Sequence, residues 1–102
     1  MNDRLQSLMK FYEKDPRDTF ATYAIAMEHR KAGALDEAVS WYDRTLEIDP
    51  DHGYAYYHKA VTLLDLGRAD EARGVIEQGI ARTTARGDEK ASGELRELLA
   101  TL

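Results

Sequence analysis

The sequence predicts an all-α protein built from a repeated helical hairpin. Only two Pro and seven Gly occur in 102 residues, which is compatible with long helices. Residues 20–38 match residues 54–72 when the chain is shifted by 34 positions. Chance gives about two identities over a full 34-residue window, whereas the match contains seven. The identical pairs are Ala21/Ala55, Tyr23/Tyr57, Ala26/Ala60, Gly33/Gly67, Asp36/Asp70, Glu37/Glu71 and Ala38/Ala72.

A single helix is predicted ahead of the first copy, over residues 3–14. We expect Asp3 and Gln6 to form a capping box at its start. Pro16 ends the helix, because the residue before a proline is pushed out of the α region. The apolar stripe of this helix consists of Leu5, Leu8, Met9 and Tyr12.

The first copy of the hairpin spans residues 19–52. Asp18 is expected to cap its first helix, because a short side-chain oxygen can accept from the free N–H groups of the first turn. Gly33 stops that helix, since glycine readily takes the left-handed conformation found at helix ends. Asp36 is expected to cap the second helix, which Pro50 then ends.

The second copy spans residues 53–86 and repeats this plan. Gly67 stops its first helix, and its second helix is predicted from Asp70 to about Arg86. A closing helix follows over residues 88–102. Its apolar stripe consists of Ala91, Leu95, Leu98 and Leu102, with Leu99 alongside. The sequence therefore predicts about six helices.

Composition excludes several functional classes. A net charge of −5 argues against a grip on nucleic acid or on a membrane surface, both of which need clustered positive charge. The lack of Cys excludes disulfides, thiolate metal sites and a thiol nucleophile. No apolar run approaches the roughly 18 residues of a membrane span, and the charged start of the chain does not read as a secretory signal. We expect a cytoplasmic protein.

The sequence contains no pattern typical of an enzyme. The histidines His29, His52 and His58 have no metal-chelating spacing, and no nucleotide-binding or hydrolase motif occurs. Every Ser lies in a predicted helix rather than on the sharp turn that a nucleophile needs. We therefore expect no catalysis, no metal and no cofactor, and keep His58 as a candidate hydrogen-bonding group for a ligand.

The repeat resembles that of the tetratricopeptide repeat family, whose unit is a 34-residue helix-turn-helix. The first copy places Thr22, Ile25, Ala26, His29, Ala38, Tyr42 and Pro50 at the family's pattern positions. The second places Tyr56, Lys59, Ala60, Leu63, Ala72 and Ile76 there. Thr22 and His29 depart from the usual aromatic residues, Lys59 from the usual apolar one, and Thr84 replaces the second terminal proline.

The resemblance implies a right-handed α-solenoid of antiparallel helix-turn-helix repeats, as a single domain over residues 1–102. Small residues are expected where the helices of one hairpin cross: Ala26, Ala38, Ala60 and Ala72. Residues 3–14 resemble the second helix of a repeat without its first helix. Residues 88–102 resemble the helix that closes such a stack.

The resemblance also implies a function, since the first helices of such repeats line a concave groove that binds a peptide or helix of another protein. The groove residues carried over by spacing are Phe20, Tyr23, Met27, Arg30, Lys31, Tyr54, Tyr57, His58, Val61, Asp65 and Leu95, with Ala91, Ser92 and Leu98 beside the last. We expect a non-catalytic adaptor or scaffold with a protein or peptide partner. The groove helices have no Asn, so the carboxylate-clamp subtype does not fit.

Two alternatives stay open at this stage. Aromatic residues at helical spacing often serve only the core, as we expect for Tyr56, and the position of Trp41 is undecided. Phe11 stands off the stripe of the first helix, and an exposed apolar end helix favours self-association. The chain could then be a structural, homo-oligomeric repeat protein.

Overall fold

A computed structural model describes residues 2–102, which form six α-helices and no strand within that range. The helices are α1 (Asp3–Lys14), α2 (Thr19–Lys31), α3 (Leu35–Ile48), α4 (Gly53–Asp65), α5 (Ala69–Arg86) and α6 (Glu89–Ala100). Each helix packs on the next, and α6 also contacts α4. The predicted all-α solenoid of helical hairpins is confirmed.

Several helix ends are those that the residue types predict. The Asp18 carboxylate accepts from the backbone N–H groups of Phe20 and Ala21, at 2.9 and 3.3 Å. Gly33 and Gly67 follow α2 and α4 with φ of 83° and 77°, the left-handed region that disfavours side chains. Each of these two glycines allows the tight turn between the two helices of its hairpin.

Two predicted caps are wrong. The N-cap of α1 is Asn2, whose Oδ1 accepts from Leu5 N–H at 3.0 Å, and Asp3 lies in the first turn. The N-cap of α3 is Ala34, which makes no side-chain hydrogen bond. Asp36 lies in the first turn of α3, where its negative charge meets the positive end of the helix dipole instead.

The core consists of two clusters that follow the two hairpins. The four alanines expected at the helix crossings are fully buried: Ala26, Ala38, Ala60 and Ala72. Tyr42 is buried in the first cluster and Tyr56 in the second, as expected for Tyr56, while Leu46 packs against both. Trp41 is also buried, and its ring meets that of Tyr12 edge-on with centroids 4.8 Å apart.

The second hairpin has a longer second helix than the first. Helix α5 has 18 residues against 14 in α3, and it ends at Gly87 with φ of 75°. Asp51 forms ion pairs with Arg82 and with Arg86 of the extra turn, at 3.0 and 3.7 Å. Helix α6 then packs closely on the start of α4, because a Cβ added at Gly53 would lie 2.6 Å from that of Ala91.

The polar residue Lys59 occupies a position where the repeat pattern has an apolar residue. Its ammonium group lies 2.6 Å from the Asp43 carboxylate on α3, while the side chain is only about one-fifth exposed. The aliphatic stem therefore covers the interface and the charge finds a partner. No helix over residues 2–102 is both long and apolar enough to cross a membrane.

Candidate functional site

Two large aromatic side chains are exposed at matching positions of α2 and α4. Phe20 is 66% exposed and Tyr54 is 36% exposed. Burial raises the pKa of the Tyr23 phenol, and the neighbouring Tyr54 phenol raises it further. These aromatic residues begin a surface that continues along α2 and α4, which we call the groove face.

The centre of the groove face is a cluster of aromatic rings and a histidine. The ring of His58 lies 6.1 Å from that of Tyr23, 6.4 Å from that of Tyr42 and 5.4 Å from that of Tyr57. The Tyr42 hydroxyl donates to the Met27 sulfur at 2.9 Å. Burial raises the pKa of Tyr42 well above its usual range. Tyr42 is fully buried, so it supports the rings of Tyr23 and His58 from the core side.

His58 is half-buried within this cluster. Its Nδ1 atom is buried and has no hydrogen-bond partner among the residues that the structure describes. Burial lowers the pKa of His58, the positive charge of Arg30 lowers it further, and Glu94 on α6 opposes both. At neutral pH the ring is therefore uncharged, with one nitrogen able to donate and the other able to accept.

One end of the groove face is charged and surrounds a cavity of about 410 Å³. The cavity is lined by Met27, Glu28, Arg30, Lys31, Leu35 and Asp65. Arg30 Nη2 lies 3.4 Å from Asp65 Oδ2. Glu28 is held from the other side by Arg4 at 3.2 Å and by the Asn2 amide at 3.3 Å.

The structure brings most of the predicted groove residues together. Tyr23, Tyr57 and His58 share the ring cluster, and Met27, Arg30, Lys31 and Asp65 share the cavity. Phe20 and Tyr54 are exposed at the edge, and Val61 is half-buried on α4.

The prediction for α6 is wrong. Leu95 is fully buried in the second core cluster, Ala91 and Ser92 are buried, and Leu98 packs against the same cluster. None of the three buried side chains is available to a partner. The reason is the longer α5, which shifts the start of α6 relative to a strict 34-residue repeat.

Three further residues belong to this site although the sequence pattern did not indicate them. Glu94 acts on His58 from α6, in place of Leu95. The ring of His52 lies 4.9 Å from that of Tyr23, while its Nδ1 caps α4 by accepting from Ala55 N–H at 3.2 Å. Tyr42 comes from a second helix. His52 directly precedes Gly53, the first residue of α4, and this position could have indicated that it caps the helix.

The side chains of the groove face are suited to binding. Among residues 2–102, no group of three or more His, Asp or Glu side chains is placed to hold a metal ion. The groove face instead offers aromatic rings with a large contact area, one neutral imidazole and one guanidinium group. Such rings bind apolar and aromatic groups at low entropic cost.

The fold and sequence also match known proteins. The solution structure of a tetratricopeptide repeat domain protein from Salinibacter ruber has a TM-score of 0.79 and 33% identity, covering 85% of this chain and 88% of that one. PcrH, solved in complex with the chaperone binding region of PopD, has a TM-score of 0.89 at 18% identity, covering 97% and 75% of the two chains. The latter similarity concerns the fold alone.

Sequence comparison gives a consistent result. Superkiller protein 3 of Saccharomyces cerevisiae is 22% identical over 77 residues, or 76% of this chain. The chain spans only 5% of the length of that yeast protein. The model of the tetratricopeptide repeat family, whose members serve as protein–protein interaction modules, matches residues 29–100. The chain therefore belongs to the tetratricopeptide repeat family.

Proposed function

We propose that this protein is a non-catalytic adaptor or scaffold of the cytoplasm that binds a peptide or helical segment of another protein on its groove face. The observation that carries the proposal is the exposure of Phe20 and Tyr54 beside the Tyr23, Tyr57 and His58 cluster. Large exposed aromatic residues that continue into a half-buried ring cluster are typical of binding hot spots.

The remaining predicted residues fit this role. Met27 and Val61 supply apolar area, whereas Arg30, Lys31 and Asp65 supply charge at one end, where they orient a bound segment. PcrH, which has the same fold, was solved with a segment of PopD. That complex shows that a stack of this architecture accommodates a partner segment, which supports the proposal for the present chain.

The test is to remove the exposed rings and measure partner capture. Phe20→Ser with Tyr54→Ser should abolish the capture of specific proteins from a cell extract, quantified by mass spectrometry. Phe11→Ser is the control, since it removes an exposed ring from α1 whose exposure lies between those of Phe20 and Tyr54, and it should capture the same proteins as the wild type. Circular dichroism checks that all variants stay helical. An unchanged set of captured proteins with the double variant would contradict the proposal.

Self-association through α1 is a second candidate function, favoured by one observation. Phe11 is 55% exposed beside a shallow cavity of about 270 Å³ that is lined by Ser7, Lys10 and Lys14 as well. This is the side of α1 that corresponds, 34 residues earlier, to the α3 side packed on α2. A second copy could cover it.

Sedimentation over a range of protein concentrations tests this candidate. A dimer that dissociates on Phe11→Asp, but not on Phe20→Ser, would support it. A monomer at every concentration would remove it and would leave the groove proposal unaffected.

A further inference from the structure

The guanidinium group of Arg30 has unused hydrogen-bonding capacity on the groove face. An arginine carries five N–H donors in a planar fork. Here Nη2 lies 3.4 Å from Asp65 Oδ2, whereas Nε is buried and has no acceptor within residues 2–102. Nε is out of a partner's reach, so the donors that an added acceptor can use are those of the terminal Nη1 and Nη2 groups of this partly exposed side chain.

The existing ion pair is easily displaced. Asp65 makes one long contact to Arg30, and its side chain is 52% exposed. Exposed single-contact pairs of this kind contribute little to stability. A carboxylate that approaches the end of the guanidinium accepts from Nη1 and Nη2 together, and this bidentate contact is shorter and stronger than the one that Asp65 makes.

The surroundings of Arg30 favour a carboxylate. Lys31 is exposed on the same cavity and adds a second positive charge. Glu28, the other acidic residue lining the cavity, is already neutralised by Arg4. The positive charge of Arg30 also lowers the pKa of His58 on the same face. The acidic residues Asp65 and Glu94 lie on α4 and α6, so the positive charges of the groove face, those of Arg30 and Lys31, are on α2.

We infer that the groove face recognises a partner segment with an acidic side chain, which displaces Asp65 and binds Arg30 end-on through Nη1 and Nη2. An aromatic or apolar residue of the same segment packs on Tyr23 and Tyr57. Asp65 is then an internal stand-in that occupies Arg30 when no partner is bound. This inference rests on the proposed function and adds the chemistry of the partner.

Selection from a random peptide library, displayed on phage against the immobilised protein, tests the inference. We expect the selected peptides to share one acidic residue next to an aromatic or apolar one. A selected peptide is then synthesised with that acidic residue and with its amide counterpart. The amide form should bind about tenfold more weakly or worse, because a bidentate charged contact is lost.

Three protein variants separate fork geometry from charge. Arg30→Lys keeps the charge but loses the fork, and should also weaken binding of the acidic peptide about tenfold. Asp65→Asn removes the competing carboxylate and should tighten binding. Arg73→Gln, which removes an exposed positive charge from α5 outside the groove face, is the control for general positive charge and should change affinity by about twofold at most, as a screened charge does. Circular dichroism and thermal melts check the fold of each variant.

Each result supports or overturns the inference. Selected peptides without a shared acidic residue, an Arg30→Lys variant that binds as the wild type does, or weaker binding to Asp65→Asn would overturn it. In those cases, loss of binding to the Phe20→Ser, Tyr54→Ser variant would leave the proposed function standing. Peptides indifferent to that double variant, or a selection that yields no binder, would overturn the proposed function as well.

Discussion

The two hairpins pack the same crossing with different pairs of residues. In the first hairpin, Thr22 of α2 meets Thr45 of α3, and their buried hydroxyl groups lie 2.9 Å apart. In the second, the residues 34 positions later are Tyr56 of α4 and Gly79 of α5. A Cβ added at Gly79 would lie 2.8 Å from the Tyr56 Cβ. Two medium-sized side chains in the first hairpin are thus replaced by one large side chain and a glycine in the second.

The difference shows that the repeat conserves a spacing between helices rather than particular residues. Both pairs are buried, and the backbone at Gly79 leaves no room for a methyl group beside Tyr56, so the size of one partner limits the size of the other. It also explains why Thr22 departs from the aromatic residue of the family pattern, since Thr45 fills the space that glycine leaves open in the second hairpin.

The largest effect is expected for Tyr56→Thr, which places the residue type of the first hairpin in the second. The variant leaves a cavity opposite Gly79 and loses the hydrogen bond from the Tyr56 hydroxyl to Pro50 O, at 2.7 Å. We expect a loss of about 3 kcal/mol in the free energy of unfolding, measured by urea denaturation. A loss below about 1 kcal/mol would mean that the crossing relaxes freely.

Adding Gly79→Thr to Tyr56→Thr completes the transplant and sharpens the comparison. The double variant should lose less unfolding free energy than the sum of the losses of the two single variants. The difference should be about 0.5–3 kcal/mol, the usual coupling between residues in contact. Additive effects would indicate that the two positions do not share one space.

Gly79→Ala should have the next largest effect. The added methyl group meets Tyr56 Cβ and Cγ at 2.8 and 2.9 Å, and overpacking of this kind costs about 1–3 kcal/mol. Gly74→Ala in the same helix is the matched control, because nothing lies within 4 Å of its Cβ position. It should stabilise the protein by up to about 1 kcal/mol through helix propensity. Similar effects at both positions would contradict the packing argument.

Thr45→Val tests the first hairpin and should have a smaller effect. The valine keeps the volume but loses the hydrogen bonds of the Thr45 hydroxyl to Thr22 and to Trp41 O, at 2.9 and 3.0 Å. A loss of about 1 kcal/mol is expected, as for a typical buried hydrogen bond. Thr101→Val, which changes an exposed hydroxyl group, is the control and should be close to neutral.

The smallest effect is expected for the pH dependence contributed by His58. Its pKa is lowered from 6.5 in the folded chain, by burial first and by Arg30 second, so the unfolded chain binds a proton first as the pH falls. The stabilising contribution of the neutral His58 is therefore fully present above about pH 6.5 and is lost as the pH falls below it. Between pH 7.5 and 5.5, the melting temperature of the wild type should fall more than that of His58→Gln. Equal decreases would contradict the assignment.

The repetition made most of the fold predictable. Gly33 and Gly67 mark the turns because left-handed backbone needs glycine, and Asp18 is a short acceptor next to a helix start. The caps at Asn2 and His52 escaped prediction because the neighbouring Asp3 and Asp51 are equally plausible acceptors.

The placement of residues on the groove face was predictable on α2 and α4, where the 34-residue spacing holds, but not on α6. Helix α5 is four residues longer than α3, and α6 is displaced so that Leu95 enters the core, while the charge of Glu94 raises the pKa of His58. The size exchange between Thr22/Thr45 and Tyr56/Gly79 was also hidden, because it depends on the distance between two helices and not on either sequence alone.

An NMR titration of the isotopically labelled protein with a bound peptide from the library selection tests the central claim most directly. We predict that backbone chemical shifts change mainly in α2 and α4, along residues 20–31 and 54–65, and around Glu94 of α6. Changes confined to α1 near Phe11, or to the outer faces of α3 and α5, would contradict the assignment of the groove face as the partner-binding surface.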